Sequence, residues 1–176
     1  RVLQKDYFRR HGTTLRGLMD NHSVDPHAFL SFVHDIDYSP VPANAELNAA
    51  LAKLPGRKLI FTNGTVAHAE AVLDRLGIAS HFDGIFDIAA ADFVPKPSAA
   101  PYHQMVTAHE VTPTRAVMVE DMVKNLKVPA ELGMRTVWVK TDHAWSGDGA
   151  SDGFVHHQTE DLTAWLTQLV TALERA

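Results

Sequence analysis

The sequence contains no cysteine among its 176 residues. Disulfides, thiol nucleophiles and cysteine-ligated zinc or iron–sulfur sites are therefore excluded from these residues, and the absence fits a reducing cytoplasm, which we expect as the location. The sequence also lacks an apolar run near the roughly 18 residues that a membrane span needs. Positive charge is not in excess either, since 16 Lys and Arg against 21 Asp and Glu give a net charge of −5. We therefore expect neither a membrane nor a nucleic-acid partner.

The hydrophobic content of 45% and the charged content of 21% are typical of a globular protein. The first residue is Arg1, within a helical pattern, so we expect further residues to precede it.

The first 40 residues are patterned as helices. Helical spacing of apolar residues predicts helices over Val2–Arg10 and Thr13–Asn21. Asp25-Pro26 predicts the start of a third helix, with an acidic N-cap and a proline in the first turn. Its expected apolar stripe contains five residues: Phe29, Leu30, Phe32, Val33 and Ile36.

After Pro40–Pro42, short apolar strands alternate with helices. The predicted strands are Lys58–Phe61, Gly84–Ala89, Ala116–Val119, Thr136–Val139 and a short edge strand, Phe154–Val155. The predicted helices are Ala43–Leu54, Val66–Leu76, Ser98–His109, Val123–Leu132 and Glu160–Leu173. This alternation predicts an α/β fold with a doubly wound parallel sheet. The expected domains are an all-helical segment over 1–40 and an α/β core over 41–176.

Polar residues follow three of these strands, at the edge of the sheet where such folds bind ligands. Thr62-Asn63-Gly64 follows the first strand and opens a helix, which suits an oxyanion or phosphate cradle. Lys96 lies between Pro95 and Pro97, where a fixed ammonium could stabilise phosphoryl charge. The alternatives are an ordinary N-cap with a tight turn, and a solvated loop lysine.

The acidic pair Glu120-Asp121 follows the third strand. A hard cation such as Mg²⁺ would neutralise it, and Asn125, one turn later, could orient one carboxylate. The alternative is a helix N-cap with an acidic first turn. The three groups together predict a phosphate and metal site in one crevice. No apolar strand ending in Asp, which would supply a carboxylate nucleophile, occurs in residues 1–61.

These motifs resemble those of the haloacid dehalogenase superfamily of phosphatases. The segments KLIFTNG, VPKPS and MVEDMVKNL are similar to its second, third and fourth motifs. The resemblance implies that Thr62, Asn63, Gly64 and Lys96 bind phosphate, and that Asp121, supported by Glu120, binds Mg²⁺. Met122 departs from the pattern, where many relatives carry Ser.

The segments HGTTLRGLM and VHDIDYSPV resemble the small helical cap of the pyrimidine 5′-nucleotidase branch. This resemblance implies substrate contacts by His11, Thr13 and Thr14, although Thr13 could instead serve only as a helix N-cap.

The resemblance implies a Mg²⁺-dependent phosphate-monoester hydrolase that acts on UMP or CMP through an aspartyl-phosphate. The family's nucleophilic Asp would lie upstream of residue 1, and Thr62, Lys96 and Asp121 would be catalytic. The alternatives are a non-catalytic protein that binds a phosphorylated ligand, or a sugar-phosphate phosphatase, mutase or dehalogenase of the same superfamily. A signalling receiver domain uses similar residues, but the motif order argues against it.

Overall fold

The computed structural model describes residues 2–150 and 152–175, which form two compact units. The first unit contains residues 2–44 and 57–96. The second contains residues 45–56 and 97–175, apart from residue 151. The domain boundaries expected from the sequence, 1–40 and 41–176, stay a prediction.

The first unit opens with three helices, which begin close to where the sequence predicts. They are α1 (Val2–His11), α2 (Thr14–His22) and α3 (Pro26–His34). Thr13 caps α2 by accepting a hydrogen bond from the Arg16 N–H at 3.1 Å, and Asp25 caps α3 through the His27 N–H. These local hydrogen bonds satisfy backbone donors of the first turn, which is why the two helices start there.

The apolar stripe predicted for the third helix is partly wrong. Leu30 is buried in a cluster with Leu15 and Ile88, but Phe32 is 81% exposed and Ile36 is 53% exposed. Phe32 lies two residues beyond Leu30, about 200° around the helix, so it faces away from the side that Leu30 buries. Ile36 falls outside α3, which ends at His34.

A parallel pair of strands follows in the first unit, as predicted. Strand β1 (Leu59–Phe61) pairs with β2 (Gly84–Phe86), and the connection between them carries α5 (Val66–Leu76). The strand β2 ends at Phe86 rather than at Ala89 because Asp87 turns the chain. One Asp87 carboxylate oxygen accepts from the Val66 N–H at 3.1 Å, and the other accepts from the Ala90 N–H at 2.8 Å.

The second unit contains a parallel sheet in the order β3-β4-β5. Its strands are β3 (Val117–Glu120), β4 (Arg135–Val139) and β5 (His157–Thr159). Its helices are α4 (Ala45–Lys53), α6 (Ala99–Ala108), α7 (Lys127–Glu131) and α8 (Leu162–Leu173). The prediction of an α/β fold with parallel strands is confirmed. No helix among the described residues has the length and apolar character that crossing a membrane requires.

The predicted edge strand Phe154–Val155 is wrong, because the strand is β5, three residues later. The segment before β5 is held to Thr136 by side-chain hydrogen bonds and by one backbone bond, from the His156 N–H to the Thr136 carbonyl at 3.2 Å. The Thr136 hydroxyl donates to the Phe154 carbonyl, and the His156 N–H donates to the Thr136 hydroxyl oxygen at 3.1 Å.

The helix predicted over Val123–Leu132 is divided into a 3₁₀ turn, Val123–Leu126, and α7. Pro129 explains the division, because it has no N–H to donate to the Asn125 carbonyl four residues earlier. The Tyr102 hydroxyl donates to that carbonyl instead, at 2.7 Å.

Candidate active site

The turn Thr62-Asn63-Gly64 connects the end of β1 to the N-terminus of α5. The Thr62 N–H donates to the Phe86 carbonyl at 3.0 Å, which extends the β1–β2 pairing into this turn. The Gly64 N–H donates to Thr62 Oγ1 at 2.9 Å. The Thr62 hydroxyl hydrogen is therefore available to an oxyanion at this turn. The Gly64 N–H is available only if its hydrogen bond to Thr62 Oγ1 is broken.

Lys96 is buried, with only 6% of its surface exposed. Its ammonium Nζ donates to the Phe61 carbonyl at 2.9 Å and lies 4.8 Å from the centre of the Phe61 ring. This carbonyl belongs to the last residue of β1, next to Thr62, so the structure brings the predicted hydroxyl and ammonium to the same strand end. The alternative of a solvated loop lysine is wrong.

The Asn63 side chain fixes the backbone of Lys96. Asn63 Oδ1 accepts from the Lys96 N–H at 2.9 Å, and Asn63 Nδ2 donates to the Lys96 carbonyl at 3.3 Å. The chain reaches Lys96 through Asp92 and Phe93, whose φ angles of 50° and 58° lie in the left-handed region that non-glycine residues rarely adopt. The surrounding structure therefore holds the Lys96 loop in one particular path.

A cavity of about 500 Å³ opens beside this turn, within the first unit. Its apolar wall includes Leu15, Leu30 and Ile88, which also form the buried cluster of this unit. Its polar lining consists of Gln4, Thr13, Thr14, His34 and Asn63. The volume falls in the range of about 300–1,000 Å³ that is usual for small-molecule sites.

Of the three residues predicted as substrate contacts, two line the cavity and one does not. Thr13 and Thr14 line the cavity. Thr13 also caps α2, so both of its sequence-based interpretations apply together. His11 is not among the lining residues, and its Nδ1 lies 3.2 Å from an Asp20 carboxylate oxygen.

The acidic pair lies in the second unit, where Glu120 is the last residue of β3 and Asp121 follows it, exposed. Asn125, which is 5% exposed, donates from Nδ2 to Glu120 Oε1 at 2.8 Å. The structure therefore places Asn125 so that it orients Glu120, as the sequence suggested. Burial, and secondly the negative charge of Glu120, raise the pKa of Tyr102, which stays a donor to the Asn125 carbonyl.

The acidic pair fits a hard divalent cation. Asn125 Oδ1 is buried and has no hydrogen-bond partner among the described residues, so a buried acceptor oxygen belongs to the same carboxamide that donates to Glu120. Within residues 2–150 and 152–175, no three His, Asp or Glu side chains gather into a metal cluster. Mg²⁺ does not require one, because it commonly binds one or two carboxylates and completes its shell with water and phosphate oxygens.

Comparison with known proteins identifies the family. A family model of haloacid dehalogenase-like hydrolases matches residues 5–133, well over half of the chain. The chain belongs to this family. The pyrimidine 5′-nucleotidase branch within the superfamily stays a prediction.

Three solved structures of the haloacid dehalogenase superfamily illustrate the similarity of fold. A hydrolase of this family from Deinococcus radiodurans, with bound phosphate and sodium, has a TM-score of 0.59 at 16% identity, over 94% of this chain and 76% of its own. CbbY from Rhodobacter sphaeroides, in complex with phosphate, has a TM-score of 0.56 at 18% identity, over 87% and 73%. L-2-haloacid dehalogenase from Xanthobacter autotrophicus, with chloropropionic acid covalently bound, has a TM-score of 0.55 at 18% identity, over 97% and 71%. At these identities, the similarity establishes the fold alone.

Sequence reasoning missed two functional candidates, His34 in the cavity lining and the role of Asn63 in holding Lys96. Phosphate binding by the Asn63 backbone stays a prediction, and the role of the Asn63 side chain is the one that was missed. Its carboxamide pairs with a backbone 33 residues away, and no local pattern indicates such a pair. The only sequence signal for His34 is its place at the end of an amphipathic helix.

Proposed function

We propose that this hydrolase is a Mg²⁺-dependent phosphate-monoester hydrolase that acts on a pyrimidine nucleoside 5′-monophosphate such as UMP or CMP. The observation that carries the proposal is the buried Lys96 ammonium, held at the end of β1 by the carbonyl of Phe61, the residue before Thr62. An ammonium whose position is already fixed is a strong hydrogen-bond donor and counter-charge for a dianionic phosphate.

The first unit supplies the groups that bind the phosphoryl oxygens. Thr62 donates its hydroxyl hydrogen, and Lys96 supplies a positive charge whose position is fixed by the Phe61 carbonyl. Asn63 holds the backbone of Lys96, so it acts as a positioning residue rather than as a ligand. Because these donors are held before substrate arrives, little reorganisation is needed when charge develops on the phosphoryl group.

The second unit supplies the residues that would hold Mg²⁺, Asp121 and Glu120. When bound, Mg²⁺ neutralises negative charge on the phosphoryl oxygens. Asn125 keeps the Glu120 carboxylate in one orientation through its amide hydrogen bond.

We assign the nucleophile to an Asp on a strand upstream of residue 1. The free edge of β3 supports this assignment, because among the described residues β3 pairs only with β4 and a further strand could pair on its other side. The Asp carboxylate oxygen attacks phosphorus, the ester oxygen leaves and takes up a proton, and an acyl phosphate forms. Water then cleaves the acyl phosphate, which releases inorganic phosphate and restores the carboxylate.

The cavity in the first unit is assigned to the leaving group. A nucleoside has apolar faces and polar edges, which suits a lining of Leu15, Leu30 and Ile88 interrupted by Thr13 and Thr14. A haloacid is the substrate class of the dehalogenases in the superfamily. It carries no phosphate dianion, so it gives a cation held by the acidic pair no phosphoryl charge to neutralise. The acidic pair therefore favours a phosphate ester.

Phosphate release from UMP and CMP by the full-length protein tests the proposal. We expect release only with Mg²⁺ present, and Asp121→Asn to lower it by about 100- to 1,000-fold, the usual effect of losing one charge-stabilising group. Glu131→Gln, which removes an exposed carboxylate on α7, serves as the matched control. Near-full activity after Mg²⁺ chelation would show the metal assignment to be wrong. Phosphate binding without turnover would identify a non-catalytic binding protein instead.

A further inference from the structure

Two histidines stack beside the phosphate-binding turn. The rings of His34, at the end of α3, and His68, on α5, lie 4.3 Å apart between centroids and 14° from parallel. Both rings reach the turn at Gly64. A β-carbon at position 64 would lie 3.2 Å from Thr62 Oγ1, 3.3 Å from His68 Cδ2 and 3.7 Å from His34 Cε1. The histidine pair and the Thr62 hydroxyl therefore surround one point at the end of β1.

The hydrogen bonds of Tyr38 determine which nitrogen of His68 carries hydrogen. The Tyr38 hydroxyl donates its single hydrogen to the His34 carbonyl at 3.0 Å, because a carbonyl can only accept. The second contact of this hydroxyl, with His68 Nδ1 at 2.8 Å, must then be one in which the Tyr38 oxygen accepts. Neutral His68 therefore carries its hydrogen on Nδ1.

The Thr65 hydroxyl lies against the other imidazole of the pair, that of His34. Thr65 Oγ1 accepts from the backbone N–H of His68 at 3.2 Å, as the N-cap of α5, and lies 3.1 Å from His34 Nδ1. When the Thr65 hydroxyl donates its hydrogen to His34 Nδ1, neutral His34 carries its own hydrogen on Nε2.

His34 remains neutral near neutral pH. Burial, and secondly the charge that His68 would carry when protonated, lower the pKa of His34. Other ionisable groups on the surrounding elements are Tyr38, Asp87, whose carboxylate accepts from the first turn of α5, and Lys96. The ring therefore offers a neutral donor, Nε2–H, rather than a cation.

The polar groups that line the cavity differ in whether a hydrogen-bond donor is left over for a ligand. The Thr14 hydroxyl donates to the Gln4 carbonyl at 3.3 Å, and the Asn63 amide is held by the Lys96 backbone. The Nε2–H of His34 has no acceptor among the described residues, although His34 lines the cavity. A ligand oxygen in the cavity would supply that acceptor.

We propose that His34 determines specificity for the leaving group, and that its Nε2–H donates a hydrogen bond to an acceptor oxygen of the nucleoside. This inference rests on the proposed function and deepens it. The acceptor is an oxygen of the ribose or of the base. Thr65 and His68 act through His34, since they fix its tautomer and the plane of its ring.

Calorimetric titration of the protein with three probes tests the proposal: UMP, ribose 5-phosphate and inorganic phosphate. His34→Phe keeps an aromatic ring on His68 but removes the N–H. We expect the dissociation constant for UMP to rise about 3- to 10-fold, the effect of one neutral hydrogen bond, and that for inorganic phosphate to stay the same. A rise for ribose 5-phosphate as well places the acceptor on the ribose, and a rise for UMP alone places it on the base.

The control is His103→Phe, the same change at an exposed position on α6. An equal loss for UMP and inorganic phosphate, or no loss for UMP, overturns the proposal. If the wild-type protein binds UMP more tightly than phosphate and His34→Phe changes neither, the inference fails while the proposed function stands. If the wild-type protein does not bind phosphate or UMP, the proposed function fails and the inference fails with it. Nitrogen NMR of the free protein gives a separate readout, and a hydrogen found on Nδ1 of His34 also overturns the proposal.

Discussion

Replacing Lys96 with methionine separates phosphate binding from folding. Lys96→Met keeps most of the apolar stem and removes the ammonium, which is buried and held by the Phe61 carbonyl. If the ammonium serves the phosphate, the variant loses phosphate affinity without losing stability. If the ammonium serves the fold, the variant loses stability and keeps its phosphate affinity.

The magnitudes follow from the contacts of Lys96. Removing the ammonium takes away one charge-assisted hydrogen bond, worth about 1.5–3 kcal/mol, and leaves the Phe61 carbonyl without this donor. It also takes away a contact with the Phe61 ring, worth about 0.5–2 kcal/mol. These losses are offset because the variant no longer buries a charge, which removes a desolvation penalty of several kcal/mol. We therefore expect the free energy of unfolding to change by no more than about 1 kcal/mol in either direction.

The phosphate affinity should respond quite differently. Loss of one charge-assisted hydrogen bond to a phosphoryl oxygen corresponds to a dissociation constant about 10- to 150-fold higher. Urea denaturation measures the free energy of unfolding, and titration with inorganic phosphate measures the dissociation constant. Lys5→Met, which removes an exposed ammonium on α1, is the matched control. Destabilisation by more than about 3 kcal/mol with unchanged phosphate affinity would refute the assignment of Lys96 to the phosphate.

Two further predictions concern the elements around the cavity. Because the pKa of His34 is lowered from 6.5, the unfolded chain binds more protons than the folded chain below that pH, so the free energy of unfolding should fall as the pH drops below about 6.5. Urea denaturation across this range should show that slope for the wild-type protein and a shallower slope for His34→Phe, and equal slopes would contradict the assignment. In Gly17→Ala, the added β-carbon would overlap the Tyr7 ring where α1 crosses α2, with Tyr7 Cδ2 only 2.8 Å away. We expect a loss of about 1–3 kcal/mol in urea denaturation, and an unchanged value would mean that the two helices separate without cost.

The elements that the sequence predicted well are those with local causes. The helix Val66–Leu76 has the predicted bounds because Thr65 caps its start and Gly77, with a φ of 74°, ends it. The starts of α2 and α3 follow from Thr13 and Asp25 in the same way. Caps and glycine stops act within a few residues, so the printed sequence is enough to find them.

The parts that the sequence did not predict depend on distant partners. The edge strand was misplaced because Thr136 holds the residues before it, and Thr136 lies 20 positions from His156. The stack of His34 on His68 joins residues 34 positions apart on two helices. A single sequence gives the chemistry of such residues but not their pairing, so it singled out the turn Thr62-Asn63-Gly64 and not its histidine neighbours.

Pro129 shows how a local irregularity reaches the candidate metal site. The proline leaves the Asn125 carbonyl without a helical donor, and the buried Tyr102 hydroxyl supplies one at 2.7 Å. This bond fixes the backbone of Asn125, whose side chain in turn holds Glu120 at 2.8 Å. The orientation of one carboxylate of the acidic pair therefore depends on a tyrosine on α6 and a proline on α7. A proline within a predicted helix is visible in the sequence, but only the distant Tyr102 explains how Pro129 affects the orientation of the acidic pair.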